Sequence, residues 1–215
     1  MKIAVIGATG FVGTALVTEF AARGHEVTAI SRNPKEAISD KVTNIKADVL
    51  DADALANVLK GHDAVVNAYN AGWANPNIYD DFIAGSKAIQ EAVKRSGVNR
   101  FITIGGGGSL FVAPGLQAVD TPDFPAEIKP GATAARDYLN ILKEEKELDW
   151  AFFSPAFEMH QGTKTGRTGN YRLGLDHPVF NDEQRSILSV EDLAVVIADE
   201  AENPKHHQQR FTAGY

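Results

Sequence analysis

The sequence contains no cysteine, which excludes disulfides, thiolate metal sites and cysteine nucleophiles together. It has no apolar run approaching the ~20 residues needed to cross a bilayer. Positive charge is also scarce: 21 Lys and Arg face 28 Asp and Glu, for a formal net charge of -7. A nucleic-acid binder must neutralise phosphates with clustered cations, so that class is set aside. No basic amphipathic stretch is present to favour a membrane surface. The adjacent His206 and His207 lack helical ligand spacing and have no carboxylate cluster nearby. No metal site is expected, and the pair reads as part of a polar tail. The first strand runs straight into a glycine loop, which leaves no room for a removable signal peptide. A cytoplasmic protein is therefore expected.

What remains is an ordinary globular composition, 44% hydrophobic and 23% charged, in 215 residues. That length suits one α/β domain over residues 1–215, with an irregular substrate-side region at 155–190 forming a small C-terminal lobe. The first half repeats a unit of apolar strand, turn, amphipathic helix and glycine. Strands are expected at 3–6, 27–30, 42–47, 64–68, 101–104 and 151–154. Phe11, Ala15, Leu16 and Phe20 share one helical face, and that helix closes at Arg23-Gly24. Lys60-Gly61 and Arg95 before Gly97 close two more. A further helix is expected at 133–148, and one more opens at Ser189 as N-cap, with a short strand at 211–213. Short apolar strands alternating with helices imply a doubly wound parallel sheet of the Rossmann type. Residues 105–130 and 155–182 read as long loops, a feature that usually carries function.

The most informative segment is Gly7-Ala8-Thr9-Gly10-Phe11-Val12-Gly13, a G-x-x-G-x-x-G placed between a strand and a helix. Gly7 permits a tight turn, Gly10 lets backbone approach a pyrophosphate, and Gly13 lets the helix pack closely. The helix dipole then faces the phosphates, with Thr9, Phe11 and Val12 completing the loop. The second strand ends in Ser31-Arg32 rather than in an acidic residue. An acid there would hold the ribose 2′-OH of NAD, whereas Arg32 and Ser31 suit the 2′-phosphate of NADP(H). Asp48-Val49 is placed either to touch the adenine or simply to lead into the next helix.

These residues resemble the short-chain dehydrogenase/reductase superfamily, in its atypical branch. That branch holds NmrA-like proteins, NADH-flavin reductases and biliverdin/flavin reductases. The loop from Gly7 to Gly13 and the pair Asp48-Val49 carry the likeness, with Asn67-Ala68 after the fourth strand. Ser154-Pro155-Ala156 and the run from Ser189 to Ala194 extend it over the whole chain. The resemblance implies that Asn67, Ala68 and Pro155 lie beside the coenzyme. It also implies a Tyr-x-x-x-Lys dyad, and here the chain departs from its relatives. Tyr138 is followed at i+4 by Leu142, and Lys143 comes one residue later, about 100° further round the helix. Tyr138 is thus either a catalyst without its usual lysine or a half-buried core tyrosine.

Other candidates lie at the same sheet edge. Gly105 begins a glycine run that ends at Ser109; this run lets backbone lie against a flat ring, with Ser109 as a hydrogen-bond donor, or acts as a loop hinge. His160 is a proton donor or a surface histidine. Arg167 and Arg172 hold an anion or are solvated. Trp73 and Trp150 are packing residues, with Trp73 also placed to line the ligand mouth. The absent dyad favours an acceptor that needs no positioned acid. The expected protein is an NADPH-dependent reductase of a flavin or quinone, acting as monomer or homodimer on a small-molecule acceptor. A non-catalytic NADP(H) sensor is the rival reading.

Overall fold

A computed structural model describes every residue from Met1 to Tyr215. The chain opens with β1 (Lys2–Ile6), α1 (Phe11–Ala22), β2 (Glu26–Ser31), β3 (Val42–Lys46), α2 (Ala52–Leu59), β4 (Ala64–Asn67), α3 (Ile78–Ser96) and β5 (Arg100–Ile104). A small hairpin follows, β6 (Phe111–Ala113) with β7 (Leu116–Gln117). Then come α4 (Lys129–Leu142), β8 (Asp149–Phe153), β9 (Arg172–Gly174), α5 (Val190–Glu202) and β10 (Gln209–Gly214).

The main sheet has eight strands in the order β3-β2-β1-β4-β5-β8-β10-β9. Only β9 runs antiparallel to its neighbour. The order reverses between β1 and β4, which makes a crevice at the C-terminal edge of the strands, as in every open α/β sheet of this kind. Successive strand residues face opposite sides, and both sides are apolar. Ile3, Val5, Val27, Val66 and Phe153 pack with Leu16 and Phe20 of α1 and Leu193 of α5. Ala4, Ile6, Ile30, Val65 and Phe152 pack with Leu55 of α2, Ile89 of α3 and Leu139 of α4. This is a doubly wound Rossmann fold. No helix is long and apolar enough to cross a membrane.

Local sequence explains most boundaries. Ser189 caps α5 by accepting the Asp192 amide at 3.0 Å, and Gly97 ends α3 in the left-handed region at φ 80°. Two expectations need correction. Helix α4 begins at Lys129 rather than 133, with Pro130 in its first turn, where a missing N–H costs nothing. It ends at Leu142, because the next turn tightens and the Trp150 indole donates to the Glu145 carbonyl at 3.2 Å. Phe11 is not on the buried face of α1; it is 38% exposed, at the helix's first position. The region expected as a loop at 105–130 carries the hairpin and two short 3-10 turns. The connection 154–189 carries only β9, which joins the edge of the main sheet.

Candidate functional site

The crevice begins with the glycine loop. Gly7 sits at φ 77°, where an L side chain is strained, and a Cβ on it would lie 2.5 Å from the Ala68 carbonyl oxygen. A Cβ on Gly13 would lie 2.1 Å from the Gly7 oxygen, so Gly13 packs against the loop backbone itself rather than against the sheet. Gly7 and Ala8 both donate to the Ile30 carbonyl, at 3.0 and 3.2 Å, which fixes the loop on β2. Gly10 caps α1 with no side-chain hydrogen bond. The first amide to find an i−4 carbonyl is that of Thr14, bonded to Gly10 at 2.9 Å. The N–H groups of Phe11, Val12 and Gly13 are therefore left pointing out of the helix end, an arrangement that suits an anion.

Beside the loop, the end of β2 presents Ser31 and Arg32. Ser31 is 8% exposed, and its hydroxyl is buried with no hydrogen-bond partner. Such an orphaned polar group is costly unless something completes it. Arg32 is exposed. Lys35, which sequence reasoning passed over, donates from Nζ to the Thr9 carbonyl at 3.3 Å and adds a second cation over the loop. Nothing in its local sequence signals this; only the fold returns it to Thr9. Tyr69 was also missed. Its hydroxyl donates to the Asp81 carbonyl at 3.0 Å, and its ring stacks on Phe82 with centroids 6.1 Å apart. Burial raises the Tyr69 pKa, Asp81 and Asp48 raise it further, and Arg32 lowers it. Asp48 is exposed and accepts the Leu50 amide at 3.0 Å, while Asp51 is engaged as the α2 cap. Val49 is buried beneath them.

The ends of β4, β5 and β8 form the rest of the crevice, and here several expected roles change. The Asn67 side chain is 2% exposed; it donates to Thr103 Oγ1 and accepts the Tyr69 amide, both at 3.0 Å. It ties the two strand ends together. Ala68 lies half-buried against Gly7, with its amide bonded to the Ile6 carbonyl at 2.9 Å. Gly105 is required by packing, since a Cβ there would lie 1.9 Å from the Phe152 ring. Gly106 and Gly107 stay partly exposed, with Gly107 pressed against the carbonyl of the buried Pro155. Ser109 is fully buried: its hydroxyl donates to the Gly106 carbonyl and pairs with Ser154 Oγ, each at 2.9 Å. It cannot donate to a ligand at the edge, because its oxygen faces inward.

Tyr138 is likewise corrected as a catalyst. It is 1% exposed, its hydroxyl donates to Gln90 at 3.2 Å, and its ring meets Phe82 edge-on. Helix α4 starts at the crevice and runs down the sheet. Nine residues on from Lys129, at 1.5 Å per residue, Tyr138 is about 14 Å from that start. Burial pushes its pKa well above the ordinary phenol range.

The loop candidates are engaged elsewhere. Arg167 grips Glu19 of α1 with two bonds at 2.8 and 2.9 Å. The Arg167 bond lowers the Glu19 pKa against the opposing effect of burial, and Arg23 lowers it further. Arg172 donates to the carbonyls of Phe180 and Tyr215. His160 is exposed and accepts the Gly162 amide at 3.0 Å. His206 departs from the polar-tail expectation: it is buried, bonds Glu200 at 2.8 Å and stacks on Phe211. The residue that organises the loop between β8 and α5 is Asp192, which is fully buried. Its carboxylate accepts the amides of Thr168 and Gly169, the Thr168 hydroxyl and the Tyr215 hydroxyl, at 2.6–3.1 Å.

With this geometry in place, comparison with known proteins is direct. A family described as NAD(P)H-binding matches residues 7–204. An uncharacterised Bacillus subtilis protein, YwnB, is 36% identical over 99% of this chain and 97% of its own length. A Bacteroides thetaiotaomicron crystal structure provisionally described as an epimerase is 48% identical, with a TM-score of 0.90, covering 100% of this chain and 96% of that one. A Streptococcus pneumoniae structure provisionally described as an NADH-flavin reductase is 35% identical, with a TM-score of 0.85, covering 100% and 99%.

Proposed function

The chain belongs to the NAD(P)H-binding family, and from the make-up of its crevice we infer an NADPH-dependent reductase of a small conjugated acceptor, such as a flavin or quinone. The observation that carries the acceptor class is the inward position of both hydroxyls that the sequence offers as acids. Tyr138 donates to Gln90, and Ser109 donates to Gly106. Reducing an isolated ketone needs an acid aimed at the developing alkoxide. A flavin or quinone spreads the negative charge over its ring and takes its proton from water.

The residues fit the coenzyme. The amides of Phe11, Val12 and Gly13 would hold its diphosphate, and the Cβ-free surface of the loop leaves room for it. The orphaned Ser31 hydroxyl and the cations of Arg32 and Lys35 suit a 2′-phosphate, and none of them suits a bare ribose better. Asp48 and Val49 would flank the adenine. When bound, the coenzyme supplies a hydride, the chemistry being its own. The chain's part is orientation: Gly106 and Gly107 give a flat floor, and the Pro155 turn supports it from behind.

The test is a titration of NADPH and NADH into the protein and into Arg32→Ala, followed by addition of FMN. NADPH is expected to bind more tightly than NADH and to lose about tenfold or more in the variant, as one charge-assisted phosphate contact would. NADH affinity should be unchanged, and FMN should oxidise bound NADPH. Equal losses for both coenzymes would overturn the 2′-phosphate assignment. Tight NADPH binding without oxidation by flavins or quinones would overturn the reductase reading in favour of a sensor.

A further inference from the structure

Of the two tryptophans, Trp150 is 2% exposed and Trp73 is 60% exposed. An indole carries a large apolar area, and leaving one in water forgoes stabilisation that burial would give. Trp73 nevertheless does not hang loose. It lies in the loop from β4 to α3, where Gly72 donates to Asn70 Oδ1 at 2.7 Å and Asn75 donates to the Gly72 carbonyl at 3.0 Å. The Asn75 side chain bonds the Ala71 carbonyl and Asp81, at 3.3 and 2.7 Å. The loop is thus laced to itself and to α3.

The indole rests on α4. A Cβ built on Gly131 would lie 2.8 Å from Trp73 Cζ3 and 2.9 Å from Ile78 Cδ1. Glycine in a helix is less favourable than alanine. At this position it leaves the space the ring occupies. The same stretch of α4 borders the glycine floor, for Ala135 and Ala132 lie 3.4 and 3.2 Å from where Cβ atoms on Gly106 and Gly108 would be. One helix end therefore shoulders an exposed, seated aromatic ring on one side and the floor of the crevice on the other.

We propose that Trp73 is the stacking platform for the acceptor, presenting its indole to the planar conjugated ring that receives the reducing equivalents. The proposal rests on the reductase reading above and names what selects its substrate. A flat π-face favours any planar ring of sufficient area and gives little to an aliphatic ketone. The platform is held in place before the acceptor arrives, which lowers the ordering cost of binding.

The experiment is equilibrium dialysis of FMN, and separately of 2-methyl-1,4-naphthoquinone, against the NADP+-saturated protein, with tryptophan emission read in parallel. The wild type, Trp73→Ala, Trp73→Phe, Trp150→Phe and Gly131→Ala are compared, with NADPH affinity as a folding control. Saturable quenching is expected in the wild type and Trp150→Phe. Trp73→Ala should weaken binding of the ring compound about tenfold, the size of one lost stacking contact, and Trp73→Phe should recover most of it. Gly131→Ala, which displaces the indole, should fall between them. Equal affinity in the wild type and Trp73→Ala overturns the proposal, as does failure of both probes to bind the wild type. If Trp73→Ala oxidises NADPH with an unchanged KM for acceptor, the platform falls and the reductase stands. If the probes quench Trp73 and no NADPH is consumed, the platform stands and the reductase falls.

Discussion

From β1 to β5 the chain is positioned by apolar burial along a sheet, whereas residues 154–189 are positioned by polar contacts to distant partners. In the first region the strands pair in register and bury Ile3, Val5, Val27 and Val66 completely or nearly so. In the second, Leu173, Leu175 and Phe180 are more than 40% exposed, and the segment is tied down instead by Asp192, which takes its backbone amides, and by Glu19, which takes the Arg167 side chain. The two kinds of hold have different consequences. Burial is non-directional and tolerates modest substitution. A buried carboxylate surrounded by donors tolerates almost none, because every donor loses its acceptor at once. The first region is therefore stiff through packing, and the second is stiff only as long as a few hydrogen bonds persist.

The largest effect should come from the tightest place in the first region where backbone meets backbone. In Gly13→Ala the new Cβ would lie 2.1 Å from the Gly7 oxygen and 2.9 Å from Ala8 Cα, with no flexible side chain to move aside. The loop must open, and its outward amides lose their alignment. We expect coenzyme affinity to fall by about 100-fold or more and stability by about 2–3 kcal/mol. Coenzyme titration and thermal melting would check this. A variant that binds NADPH normally would mean that the loop is looser than its packing implies.

The second prediction breaks the other side of the comparison. Asp192→Asn turns one acceptor oxygen into a donor amide facing Thr168, Gly169 and Tyr215, all of them donors. A loss of about 2 kcal/mol is expected, the usual cost of leaving buried groups unpaired. Hydrogen exchange should rise in residues 163–171, while NADPH affinity stays within about twofold, since Asp192 shares no hydrogen-bond partner with the glycine loop. Parallel loss of coenzyme binding would show that the two regions are not held separately.

The same contrast explains what could be read from sequence. Strand positions and the span from Gly7 to Gly13 are local patterns, and the structure places them where periodicity and glycine spacing indicate. The partners that shape the rest are remote. Arg167 meets Glu19 across 148 residues, and Ser109 meets Ser154 across 45. Sequence position put Ser109 at the correct sheet edge, but the direction of its hydroxyl depends on Ser154. Gly105 resembled a ligand-facing glycine until Phe152 supplied the reason for it. Lys35 followed the expected Arg32 by three residues and carried no signal of its own. Trp73 was readable as a residue following the fourth strand; its seat on Gly131 was not, because that contact joins two separate βα units.

The smallest effect should come from Tyr138→Phe, and its smallness is the point. Tyr138 of α4 packs onto the stiff region, in the apolar layer that joins Ile6, Val65 and Phe82 to Leu139 and Phe152. Its hydroxyl makes one hydrogen bond, to Gln90 at 3.2 Å, and Gln90 in turn donates to Glu145 at 3.0 Å. Removing the oxygen deletes that single bond and leaves the ring in place, for a cost of about 1 kcal/mol. An acid that protonates the acceptor would be worth 10²- to 10⁴-fold in rate. A positional tyrosine would be worth nothing beyond the stability change. The expected outcome is a slightly lower melting temperature, a turnover number within about twofold of the wild type and an unaltered pH profile. A fall of 100-fold in kcat at unchanged coenzyme affinity would require α4 to unpack and bring this hydroxyl to the crevice. It would also make the packed half of the molecule the mobile one, reversing the contrast between the two regions.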